Sequence, residues 1–159
     1  MTRKRLVTAA TRVLGANAVS YTEHHYDYQR GAGAVGGAEL IGLSPHRVIK
    51  TLIVETSEGD AACVLMHGDR ETSLKQLARV IGVKSVAMAR PEAAQRYSGY
   101  LVGGTSPFGL RTAMPIYCEQ TVAELESIVV NGGKRGFLIE LAFDDLARLI
   151  EPILVNVAI

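Results

Sequence analysis

The sequence predicts a mixed α+β fold, and three observations carry that prediction. Apolar residues recur with helical spacing in some stretches and as β-branched runs in others. Several of the β runs are joined by connections too short for a crossover helix, which disfavours a regular βαβ fold. The chain has 159 residues, 48% hydrophobic and 21% charged, which suits one domain spanning residues 1–159 with a substantial core.

Residues 2–14 are expected to form an amphipathic helix, with Leu6, Ala10, Val13 and Leu14 on one face and Gly15 closing it. Residues 18–28 lean toward an extended, aromatic segment. The glycine- and alanine-rich stretch 31–37 is expected to be flexible, and Ala38–Ile41 a short helical piece ended by Gly42. Ser44 and Pro45 form a capped turn. Val48–Thr56 then reads as a strand, residues 57–60 as a tight turn, and Ala61–His67 as the hairpin partner. Ser73 caps a helix whose Leu74, Leu77, Ala78 and Ile81 share a face, and Gly82 ends it. Val83–Ala89 is a short strand, and Pro91–Tyr97 a helix begun by proline. Ile116–Glu119 and Ile128–Asn131 are strands around a turn or short helix. Residues 131–136 are a glycine turn, and Phe137–Leu141 the following strand. Asp144 is expected to cap a last helix through Ile150, which stops before Pro152.

Net charge is +1, so nucleic acid would be held by a local basic patch, not by the whole surface. Cys63 and Cys118 lie singly in apolar runs, which predicts buried free thiols. No apolar run reaches the roughly 18 residues of a membrane helix, and residues 1–5 carry no secretory signature. The expectation is a cytoplasmic protein with no membrane partner.

The stretch Gly99–Gly109 contains four glycines, one proline and two small hydroxyl residues. It reads either as a surface loop with turn glycines or as a row of exposed N–H groups suited to a phosphate or an oxyanion. Pro107 fixes its own φ and restricts Ser106, which stiffens the loop. It matches neither the phosphate-binding loop nor the dinucleotide fingerprint. Lys50 interrupts the apolar strand on the face of Val48, Leu52 and Val54. It is either a snorkelling strand lysine or a cation aimed into a site. Asn131–Gly136 is a plain turn or a second N–H patch flanked by Lys134 and Arg135. His24 and His25 are adjacent and would face opposite ways on a strand, which argues against a metal site. His46 and His67 read as surface or turn residues. No cofactor or metal is expected, and neither cysteine has the setting of a nucleophile.

Val48-Ile-Lys-Thr-Leu, Gly99-Tyr-Leu-Val-Gly-Gly-Thr-Ser-Pro-Phe-Gly and Asn131-Gly-Gly-Lys-Arg-Gly occur in that order with compatible spacing. Together they resemble the YbaK/EbsC family, related to the editing domain of bacterial prolyl-tRNA synthetases. The resemblance covers nearly the whole chain. It implies a mostly antiparallel mixed sheet or partly closed barrel surrounded by helices. It implies hydrolysis of mischarged tRNA, typically Cys-tRNA(Pro) or Ala-tRNA(Pro), with aminoacylated tRNA as partner and prolyl-tRNA synthetase as a possible second one. The family lysine falls on Lys50. The family loop falls on Gly103, Gly104, Thr105, Ser106 and Pro107, whose backbone would hold the aminoacyl carbonyl and ribose. A pocket tyrosine falls on Tyr26, and Asn131, Gly132 and Gly133 would line the same cleft. Val35 stands where the YbaK branch carries an aromatic in its amino-acid pocket. For cysteine the family is thought to use the substrate's own thiol, for alanine a tRNA hydroxyl and a bound water. Two other classes stand beside this one. One is a non-catalytic tRNA binder using Arg3, Lys4, Arg5, Lys75, Arg79, Lys84, Lys134 and Arg135. The other is a hydrolase of free aminoacyl esters or adenylates.

Overall fold

A computed structural model describes residues 6–28 and 33–159, with the side chains of residues 33–35 excepted. In chain order the elements are α1 (Ala9–Ala16), β1 (Thr22–His25), α2 (Gly33–Leu40), β2 (Ile49–Thr56), β3 (Ala61–His67), α3 (Leu74–Ile81), β4 (Val86–Met88), α4 (Pro91–Ser98), β5 (Ile116–Glu119), a 3₁₀ turn (Gln120–Glu124), β6 (Ser127–Lys134), β7 (Phe137–Ala142), α5 (Phe143–Ile150) and β8 (Ile153–Val155). The fold is the mixed α+β arrangement that the alternating periodicities predict.

Two sheets form. One has the order β1-β7-β6 and is antiparallel throughout. The other has the order β4-β2-β3-β5-β8, antiparallel on the β4 side and parallel from β3 to β8. Among the described residues a single parallel bridge, between Val48 and Val129, joins them. The sheet is therefore not closed around its circumference.

Period-2 alternation sorts the side chains into layers. Ile49, Ile53, Cys63 and Leu65 face one way and pack with Ile128, Val130, Ile139, Leu14 and Phe108 in the central core. Val54, Val64 and Met66 face the other way, under Leu77 and Ala78 of α3. A third layer holds α2 on the outer face of the smaller sheet, where Ala38 packs with Val48, Val129 and Leu138.

The structure corrects several expectations. The stretch 31–37 is not simply a flexible segment, because Gly33–Leu40 is helical. Its small residues permit a close approach: a Cβ on Gly37 would lie 3.0 Å from the Tyr26 ring. Packing thus outweighs the poor helix propensity of glycine. The first helix begins at Ala9, behind a capping box formed by Thr8 and Thr11, and runs through Gly15 to Ala16. Arg3, Lys4 and Arg5 lie outside the described residues. The Val83–Ala89 strand is confined to Val86–Met88. Ala142, not Asp144, is the N-cap of α5. Asp144 and Asp145 lie in its first turn, where their charge faces the helix dipole. β6 continues through the expected 131–136 turn to Lys134, with a bulge between Asn131 and Lys134. After Pro152 the chain adds an unforeseen edge strand, β8. His67 is fully buried, and His46 stacks on it with ring centroids 3.8 Å apart.

Candidate active site

The site grows from the unpaired edge of β2. β4 pairs only with Val54–Thr56, so Ile49–Ile53 have β3 on one side and no strand of the same sheet on the other. The Ile53 carbonyl accepts from Ala89 N–H at 3.0 Å, whereas the Val48 carbonyl accepts from Gly68 N–H on the β3 side. Backbone direction alternates, so the N–H and C=O of Thr51 face the open edge. A cleft of about 400 Å³ lies along that edge. Its far walls are Pro91 and Ala94 of α4, the loop at Val102–Thr105, Asn131, Leu138, Tyr26 and Tyr28.

The structure brings Lys50, Gly103, Thr105, Asn131 and Tyr26 onto this one cleft. The Lys50 ammonium donates to the Arg70 carbonyl at 2.6 Å and lies 3.7 Å from the exposed Glu71 carboxylate. Gly103 has φ +88°. Among the described residues, the N–H groups of Gly103 and Thr105 have no acceptor. Both residues line the cleft, so these N–H groups are candidate donors to a ligand bound there. Asn131 fastens that loop: its Nδ2 donates to the Gly103 carbonyl at 3.1 Å, and its Oδ1 accepts from the N–H groups of Gly133 and Lys134. The Arg135 Nε adds a bond to the Val102 carbonyl at 2.8 Å.

Other expected site residues are elsewhere. Ser106 and Pro107 are buried beneath the loop, and the Ser106 hydroxyl accepts from Phe108 N–H. They brace the loop instead of lining the cleft. Gly104 and Gly133 line a second cavity behind the loop. Gly132 packs under the Phe137 ring, which a Cβ would strike. Val35 belongs to α2, and its side chain lies outside the described atoms.

Two contributors went unread. Tyr28 follows Tyr26 by two residues in an extended segment, so alternation puts both on one face. Its ring lies under the Arg135 guanidinium, 5.0 Å away. Thr51 lines the cleft with an enclosed hydroxyl that has no partner among the described residues. Burial, and secondarily Tyr28, holds the Tyr26 phenol above its ordinary pKa, so it is a neutral donor near neutrality.

Among the described residues, no imidazole or carboxylate lines the cleft. Burial pushes the thiols of Cys63 and Cys118 up to about 12, which keeps them protonated and unreactive. The described residues contain one cluster with metal-ligand geometry, His46, His67 and Asp69. Both His67 ring nitrogens are already engaged, Nδ1 with the His46 carbonyl and Nε2 with Thr121 Oγ1. A metal there would cost one of those bonds. His24 meets Glu140 while His25 stacks on Phe137, so the two point apart as expected.

Comparison with known proteins places these features in context. Residues 31–149 match the family model of the aminoacyl-tRNA editing domain. A candidate Cys-tRNA(Pro)/Cys-tRNA(Cys) deacylase, EbsC of Enterococcus faecalis, is 32% identical over 143 residues, covering 89% of this chain and 87% of that protein. The proline–tRNA ligase of Moorella thermoacetica is 30% identical over 95 residues, 60% of this chain but only 16% of the ligase. A solved structure described as a candidate trans-editing enzyme for prolyl tRNA synthetase superposes with TM-score 0.80 at 22% identity, covering 98% of this chain and 99% of that one. At that identity the likeness is one of fold.

Proposed function

Since the chain belongs to the aminoacyl-tRNA editing domain family, we propose that it is a trans-acting deacylase that hydrolyses the ester of a mischarged tRNA, with Cys-tRNA(Pro) as the preferred substrate. The observation that carries this reading is the one cleft lined by Lys50, Gly103 and Thr105, the last two with N–H groups that have no acceptor among the described residues. The terminal adenosine enters along the open β2 edge, where main-chain groups of Thr51 and the phenols of Tyr26 and Tyr28 offer hydrogen bonds. The aminoacyl carbonyl sits against the glycine loop. As the carbonyl carbon becomes tetrahedral, negative charge grows on its oxygen, and the two N–H groups meet it. One such donor is worth about 3 kcal/mol.

Among the described residues the cleft has no carboxylate or imidazole to act as base, so the nucleophile comes from the substrate or from a held water. A cysteinyl thiol can attack its own carbonyl. The ribose oxygen then leaves with the thiol proton, and water later opens the thioester ring. Lys50 engages the 5′ phosphate or the ribose of the terminal adenosine by giving up its contact with Glu71. That pair is worth little, because Glu71 is 84% exposed.

A panel of charged tRNAs tests the reading. The protein should deacylate Cys-tRNA(Pro) faster than Ala-tRNA(Pro), and leave Pro-tRNA(Pro) intact. Faster Ala-tRNA(Pro) turnover would transfer the preference to alanine. Binding of these tRNAs without turnover would show a tRNA-binding module instead.

A further inference from the structure

The glycine loop has a second side. Gly103 lines the cleft and Gly104, the next residue, lines a separate cavity of about 340 Å³ with Gly99, Tyr100, Leu101, Gly133, Lys134 and Arg135. Adjacent Cα atoms are about 3.8 Å apart, so one thickness of backbone divides the two spaces. The packing there is tight: a Cβ on Gly104 would lie 2.9 Å from Arg135 N.

Cationic side chains border the second cavity. Lys134 and Arg135 form one wall, and the Arg111 side chain lies over Gly99, its Nε 3.5 Å from where a Cβ would be. The segments that build it, 96–111 and 131–137, contain no acidic residue. Arg111, Lys134 and Arg135 make no ion pair with any described carboxylate. Among the described residues the Arg135 guanidinium spends only Nε, on the Val102 carbonyl, and stacks on Tyr28, which leaves its remaining N–H groups to other acceptors. The C-terminus of α4, which would repel an anion, is covered. Its Tyr97 and Ser98 carbonyls accept from Thr112 and Arg111 N–H at 2.9 and 3.1 Å.

We propose that this cavity is a phosphodiester site. It holds the RNA backbone just upstream of the terminal nucleoside while the ester lies across the loop in the cleft. The proposal rests on the deacylase reading. Arg135 touches both sides, through Val102 and Tyr28 of the cleft and through the cavity wall, so backbone binding also steadies the loop that presents the N–H donors.

The test compares two substrates with one ester: a cysteinylated minihelix RNA ending in CCA, and cysteinyl-adenosine, which has no phosphate. Lys134 and Arg111 are exposed, so the doubly substituted Lys134→Ala, Arg111→Ala protein should keep its unfolding midpoint. Its kcat/KM ratio of minihelix to nucleoside should fall about tenfold relative to wild type, with the loss in KM. The slope of log kcat/KM against log salt on the minihelix should become shallower by about 1 to 2. Binding of the uncharged minihelix, read by fluorescence anisotropy, should weaken to match, whatever the state of the chemistry. Arg148→Ala, on α5 and paired with Asp145, should leave the ratio at the wild-type value. A double variant with the wild-type ratio and slope would overturn the phosphodiester site and leave the deacylase intact. Wild-type protein that hydrolyses neither ester would overturn both.

Discussion

Gly103 sits at φ +88°, where a Cβ would also approach the Tyr28 hydroxyl oxygen to 2.8 Å. Gly103→Ala must therefore strain the backbone and displace a cleft tyrosine, at a cost of about 1–3 kcal/mol. We expect deacylation to fall by about two orders of magnitude in kcat, with a lowered unfolding midpoint. A fall in midpoint with full activity would remove the loop from the chemistry. The fully buried Cys63 and Cys118 give the opposite expectation. Replacing both with alanine leaves small cavities and costs about 1–3 kcal/mol, while turnover at a permissive temperature stays within twofold. Resistance of the native thiols to alkylation is the parallel check. At this scale the sequence showed the key residue types but not their aim. Lys50 stood out because a charge interrupts an apolar strand. That its ammonium is held by the Arg70 carbonyl depends on the turn after β3, some 20 residues away. Nothing local could reveal that Ser106 and Pro107 lie beneath the loop.

Among elements, the hairpin β2–β3 and helix α3 were readable, because each carries a complete local signature. The hairpin has β-branched runs around a tight turn. The helix has Ser73 accepting from Gln76 N–H and Gly82 at φ +86°. α2 and β8 lacked such signatures. α2 is rich in glycine and alanine and forms because Ala38 and Gly37 settle on Leu138 and Tyr26. β8 has three residues and exists through its pairing with β5. The junction between the sheets has an electrostatic tie. Glu140 of β7 accepts from Arg47, just before β2, at 2.7 Å and pairs with His24 of β1 at 2.9 Å. The His24 bond, with Arg47 adding to it, holds the Glu140 carboxyl below its usual range against the opposing effect of burial. A depressed folded pKa means stability that is full above the unfolded value near 4.5 and is lost as pH falls through the lower folded value. Glu140→Gln should thus lower the unfolding midpoint near neutral pH and flatten its decline in acid. Parallel decline in variant and wild type would exclude this tie as the source.

For the molecule as a whole, the cleft lies where the two sheets meet at one bridge, Val48 with Val129. The open edge of β2 therefore faces the bulged end of β6 and the glycine loop. This convergence joins segments near 26, 50, 103 and 131, and only long-range topology produces it. The ordered motifs made the family legible. The second cavity was not, because its walls come from residues about 30 positions apart. The overall charge of +1 is equally uninformative about it, since the cations around the loop are local. A second titration belongs to this scale. Burial holds the His67 imidazole below its ordinary value. Its contribution to stability is complete above the unfolded value near 6.5 and is lost as pH falls through the lower folded one. His67→Gln should remove a decline in unfolding midpoint that wild type shows as pH drops below about 6.5. An identical pH profile in the variant would contradict that assignment.

Deacylation by this protein requires Lys50 to act with the main-chain donors across one cleft. The most direct test is the single-turnover rate of Cys-tRNA(Pro) deacylation by Lys50→Ala beside wild type, with unfolding midpoints measured on the same samples. The expected result is a loss of about a hundredfold at an essentially unchanged midpoint. A Lys50→Ala protein that deacylates at the wild-type rate would contradict it.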